Sequence, residues 1–161
     1  PEDVLNRRLL RHPDDLADLL ARGELRLQRS DEARFSGGNP LADYGAAEAD
    51  FARAVAVDGT SLAARFQLGF TRAQRAAYHV TWDISPGEDC ARAEADLTAA
   101  LAEPRARVWR GNLRLVCALW QRRQGDEAAA LAGFQQAEAD LSPATTADAL
   151  MRRGRVRGLL G

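Results

Sequence analysis

Residues 40–56, PLADYGAAEADFARAVA, return 46 positions later as residues 86–102, PGEDCARAEADLTAALA. Pro40, Asp43, Ala47, Glu48, Ala49, Asp50, Ala54 and Ala56 recur there as Pro86, Asp89, Ala93, Glu94, Ala95, Asp96, Ala100 and Ala102. The match extends upstream, where Ala17, Gly23, Arg26, Gln28 and Arg29 come back as Ala63, Gly69, Arg72, Gln74 and Arg75. A fixed period of this size is what stacked supersecondary units write into a sequence, because one unit cannot bury its apolar face alone. The expected architecture is a solenoid rather than a closed globule, and solenoids usually present a surface rather than a reaction centre.

Inside each copy the apolar and small residues follow helical spacing. Leu16, Leu19, Leu20, Gly23 and Leu27 share one face of a first helix, and Tyr44, Ala47, Phe51, Ala54 and Val55 share one face of a second. The second copy repeats this with Phe66, Leu68, Gly69 and Ala73, then Cys90, Ala93, Leu97, Ala100 and Leu101. The spacing predicts helices at about 2–11, 14–34, 40–57, 60–81, 86–102, 105–123, 126–140 and 143–158. Asn39-Pro40, Ser85-Pro86 and Ser142-Pro143 each read as a capping side chain followed by proline in the first helical turn. Ser85 and Glu88 have capping-box spacing. Gly59 reads as a helix stop, with Thr60 or Ser61 capping the next helix.

These features resemble the tetratricopeptide repeats, whose helix–turn–helix unit has small residues mid-helix. Gly23 and Gly69 match the first-helix glycine of that family, while Ala47, Phe51 and Ala54, then Ala93, Leu97 and Ala100, match its second helix. Gln124-Gly125-Asp126 with Ala130, Phe134 and Ala137 resembles the turn and second helix of a third unit. That unit has Ala118 where the family glycine is expected, and Gly111 two turns earlier. Leu150, Gly154 and a turn at Gly161 resemble the start of a fourth, and residues 2–11 a leading second helix. In the first two units the helix positions are twelve residues further apart than in the family, through insertions around 30–42 and 76–88. The resemblance implies an all-α, right-handed α-solenoid of antiparallel helix hairpins, about eight helices in a single domain over 1–161. Its units are about 14–58, 60–103 and 105–141, with partial units at 1–12 and 143–161.

Composition narrows the partners. The formal net charge of −1 points to neither nucleic acid nor membrane. All 22 basic residues are arginine, which fits a bacterial coding sequence rich in G and C. No stretch is apolar enough to span a bilayer, and a cytoplasmic location is expected. Cys90 and Cys117 read as two buried, inert thiols in a reducing compartment. Two histidines are too few for a multi-histidine metal site, and His79 with Asp83 is the nearest approach to one. No phosphate loop, nucleophile elbow or coherent Ser/His/Asp set is present, so neither an enzyme nor a bound cofactor or metal is expected.

Charge is sorted by helix. The second helices are acidic, whereas the stretch 105–123 carries Arg105, Arg107, Arg110, Arg114, Arg122 and Arg123 and no acid. In the resembled family first helices line a concave groove. Carried over, this implies a groove that grows more basic toward the C-terminus and captures an acidic peptide or protein segment. Arg65, Arg72, Arg110, Arg114, Arg153 and Arg157 would supply charge, and Phe66, Phe70 and Leu115 apolar contact. The competing reading is that these arginines only pair with Asp and Glu of neighbouring second helices. Nucleic acid is the weaker partner, since the acidic helices would repel phosphate. The runner-up function is a regulatory or sensing segment of a larger enzyme or signalling protein.

Overall fold

Alanine and leucine at helical spacing, with proline and glycine at the joints, produce eight helices and no strand among residues 2–160, which the computed structural model describes. Pro1 and Gly161, with the turn expected at the latter, lie outside the described residues. The helices are α1 (Glu2–Arg11), α2 (Leu16–Phe35), α3 (Leu41–Val57), α4 (Leu62–Thr81), α5 (Gly87–Ala99), α6 (Pro104–Arg123), α7 (Glu127–Leu141) and α8 (Ala147–Leu160).

Several joints use the expected chemistry. Asn39 Oδ1 accepts from the Leu41 amide at 3.0 Å, and the Ser61 hydroxyl accepts from Ala64 N at 3.2 Å. Asp15 and Asp126 cap α2 and α7 in the same way. Two signals are corrected. The Ser85–Glu88 capping box does not form: α5 begins behind Pro86 without a side-chain cap, and Glu88 pairs with Arg92 along the helix. Ser142-Pro143 does not start α8; Ser142 instead ends α7, and α8 begins at Ala147 with Thr146 Oγ1 accepting from Ala149 N.

The main packing pairs are α2 with α3, α4 with α5 and α6 with α7, joined by α1 on α2, α3 on α4, α5 on α6 and α7 on α8. Helix α4 also packs on α6. A glycine makes each main pair possible. An ideal Cβ on Gly23 would fall 2.5 Å from the Phe51 ring, one on Gly69 2.9 Å from Leu97 Cγ, and one on Gly111 2.8 Å from Leu141 Cγ. Phe51, Leu97 and Leu141 have no exposed surface, and burying each contributes about 2–3 kcal/mol.

This contact corrects the register of the third unit. Gly111, not Ala118, is the counterpart of Gly23 and Gly69, and Leu141, not Phe134, is the counterpart of Phe51 and Leu97. The third pair of helices is therefore as long as the first two.

Candidate interaction surface

Registered on its glycines, the chain repeats an interlock. The second helices carry Ala47-Glu48-Ala49-Asp50-Phe51, Ala93-Glu94-Ala95-Asp96-Leu97 and Ala137-Glu138-Ala139-Asp140-Leu141. The apolar residue enters the glycine notch of the helix before it. The aspartate turns back to the same helix: Asp50 accepts from Arg22 and Arg26, Asp96 from Arg72, and Asp140 from Arg110 and Arg114. The glutamate reaches forward to the next first helix: Glu48 to Arg72 and Arg75, Glu94 to Arg114, and Glu138 to Arg157. Glu2 of α1 engages Arg26 and Arg29 in the same manner. Arg26, Arg29, Arg72, Arg75 and Arg114 are thus clasps between two second helices, and their fork geometry suits two carboxylates at once.

The clasps perturb their acids in opposite directions. Burial pushes Glu48 up, but hydrogen bonds and charge from Arg72 and Arg75 outweigh it and leave the carboxyl below its usual value. At Asp96 burial wins over Arg72, and the carboxyl sits above its usual value. Asp89, 8% exposed, holds Arg75 by two bonds and lies 3.5 Å from His79 Nδ1.

The nine residues expected to line one groove are divided by the fold. Arg72, Arg110, Arg114 and Arg157 all belong to the clasps. Arg65 Nε donates to the Gly59 carbonyl, and Arg153 Nη1 to that of Ser142. Leu115, 2% exposed, is packed among α6, α7 and α8, and Phe66 is equally buried. Phe70 is only half-buried.

Phe66 and Phe70 belong instead to a string of rings and guanidinium groups across three first helices. Arg105 lies 4.3 Å over the Phe66 ring, and Phe66 stacks on Phe70 at 5.8 Å. Phe70 meets Trp109 edge to face at 4.4 Å, and Arg152 of α8 lies 5.1 Å over the Trp109 ring. Cation–π contacts of this kind contribute about 0.5–1 kcal/mol each at exposed sites and hold the charge over an apolar strip.

Cys90 and Cys117 are not free thiols. They form a disulfide joining α5 to α6, with their Cα atoms 6.3 Å apart. This corrects the expectation of inert thiols and removes the ground for a reducing compartment. The bond lies in a cleft of about 410 Å³ floored by α6 and walled by α5 and α7, beside the Glu94–Arg114 pair, Ala132 and Gly133. No helix among the described residues is long and apolar enough to cross a membrane.

The third Ala-Glu-Ala-Asp, 44 positions after the second rather than 46, is the sequence signal that reveals the clasps. Compared with known proteins, the chain matches no family model, no curated protein and no solved structure.

Proposed function

We propose that the chain is a protein–protein interaction scaffold that holds an acidic segment of a partner on the face made by α4, α6 and α8. In this reading the helices form a right-handed solenoid of antiparallel hairpins, tetratricopeptide-like in its unit. The order of packing pairs and the thrice-used interlock support it. The observation that carries the function is the string Arg105–Phe66–Phe70–Trp109–Arg152, in which Phe66 is buried while the half-buried rings of Phe70 and Trp109 are offered to apolar side chains and the guanidinium groups to carboxylates. The arginines of the clasps are structural in this account, and charge for the partner comes from Arg105 and Arg152 at the ends of the string, each of which holds a neighbouring carboxylate, Glu103 and Asp148, through its Nε alone. The disulfide supports an oxidising location over the cytoplasm.

The test is fluorescence polarisation with labelled peptides that alternate Glu or Asp with Leu or Phe. Saturable binding that weakens at least about tenfold in Phe70→Ala and in Arg105→Glu is the expected result. Binding indifferent to both substitutions, or none to any such peptide, overturns the reading.

A further inference from the structure

The seams at the ends of the first helices do not close alike. Registered on the glycines, the seam between α4 and α6 repeats the seam between α2 and α4. Arg123 then corresponds to Thr81, Val80 to Arg34, and Asp83-Ile84 to Gly37-Gly38. At the later seam α4 packs on α6, and Arg123 Nη1 crosses to donate to the Val80 carbonyl at 2.8 Å. At the earlier seam Thr81 is too short to cross, and its hydroxyl donates back to Ala77 O at 2.9 Å. Two glycines stand opposite it in place of aspartate and isoleucine, and a Cβ on Gly37 would meet nothing within 4 Å. These small residues leave a pocket of about 190 Å³ between the end of α2 and the end of α4.

Its two sides differ in chemistry. Tyr78 and Trp82 line the α4 side with their ring centroids 6.2 Å apart, and Trp82 is 63% exposed. Arg34 lines the α2 side and is the one charged residue of the lining. Arg26 and Arg29 on the same helix are gripped by carboxylates of neighbouring helices, but Arg34 is not. Its Nη2 donates to Asp31 one turn back at 3.2 Å, its Cζ lies 4.9 Å over the exposed Phe35 ring, and its buried Nε has no partner. Burial pushes the Asp31 carboxyl above its usual value in spite of Arg34, so that pair is a weak one. The guanidinium keeps donor capacity that an anion would meet with charge-assisted hydrogen bonds.

We propose that this pocket binds a small aromatic carboxylate, its ring against Trp82 and Tyr78 and its carboxylate on Arg34. Each side specifies one half of the ligand. Arg34 opposes a cation, and an acid without a ring leaves both aromatic faces uncovered. Pockets for drug-sized ligands run from about 300 to 1,000 Å³, so the smaller volume here suits a single ring or a fused pair. The proposal goes beyond the interaction surface and rests on neither the aromatic string nor the acidic segment.

The probe is 2-naphthoate, titrated into the isotope-labelled full chain and followed at the Trp82 indole N–H and the Gly37 and Gly38 amides. Saturable shifts at these groups are expected, with 2-naphthamide and acetate each binding at least about tenfold more weakly. Arg34→Gln should remove the preference for acid over amide. Thr81→Arg installs, at an exposed position, the residue that crosses the next seam, so it keeps the fold while weakening 2-naphthoate at least about tenfold. Phe70→Ala leaves the affinity unchanged, which separates this pocket from the aromatic face. No saturable shift, equal binding of acid and amide, shifts centred on Trp109, or full affinity in Thr81→Arg each overturn the assignment. Tighter binding of the tripeptide Gly-Gly-Trp than of 2-naphthoate would give the pocket to a chain terminus and overturn it as well.

Discussion

Arg110 and Asp140 join α6 to α7 through two parallel hydrogen bonds, Nε to Oδ2 at 2.8 Å and Nη2 to Oδ1 at 2.6 Å. Arg114 adds a third to the same carboxylate at 2.9 Å, and the Asp140 side chain is only 5% exposed. Asp140→Ala leaves two mostly buried guanidinium groups short of a partner and is expected to cost about 2–4 kcal/mol in urea unfolding. The half-exposed pair Arg157–Glu138 provides the contrast, with Glu138→Ala costing below about 1 kcal/mol. Equal costs would show that the aspartate is not a clasp.

Glycine substitutions should split by sign. Ala at Gly45, where a Cβ meets nothing within 4 Å, stabilises α3 by roughly 0.5–1 kcal/mol. Ala at Gly69 places its Cβ 2.9 Å from Leu97 Cγ and 3.1 Å from Leu97 N, so overpacking of about 1–3 kcal/mol exceeds the gain in propensity. Thermal melts of the two variants should shift in opposite directions.

Reduction should weaken the chain without unfolding it at room temperature. The Cys90–Cys117 bond closes a 27-residue separation, for which loop-closure entropy gives about 3.5 kcal/mol. A lower Tm in excess dithiol, matched by Cys90→Ser/Cys117→Ser without dithiol, is the expected result. Thiol titration of the unreduced native chain should find no free sulfhydryl at these two positions.

The two acids that share Arg72 should give opposite pH slopes. Glu48 is held below its usual value, so its contribution is present above the unfolded carboxylate value of about 4.3 and lost as pH falls through the lower folded value. Glu48→Gln should therefore cost about 1–3 kcal/mol at pH 7 and progressively less as the pH is lowered below the unfolded carboxylate value. Asp96 lies above its usual value, so its ionisation opposes folding as pH rises through the carboxylate range. Asp96→Asn should cost less than Glu48→Gln at pH 7, and a larger cost would contradict the assigned direction.

Local signals were legible because local physics sets them. Leucine and alanine periodicity placed all eight helices, and Gly37, with its positive φ of 79°, sits within the insertion expected around 30–42. Side-chain partners across helices were not legible. Nothing in the spacing of Arg72 tells whether its fork faces solvent or lies between Glu48 and Asp96, since both readings place it on the same helix at the same turn. Cys90 and Cys117 were misread for a related reason: their separation reveals nothing until α5 is known to lie beside α6. The ring string is not legible in the sequence because Phe66, Phe70 and Trp109 come from two helices, and their guanidinium partners from α6 and α8.

The disulfide has one more consequence. Helices that lean mainly on their neighbours can peel away one joint at a time, and a joint that opens must find its alignment again before it closes. Between α5 and α6 that search is abolished, because the covalent tie preserves the phase of one helix against the other through any transient parting. The middle of the chain keeps a memory of its own assembly that neither end possesses.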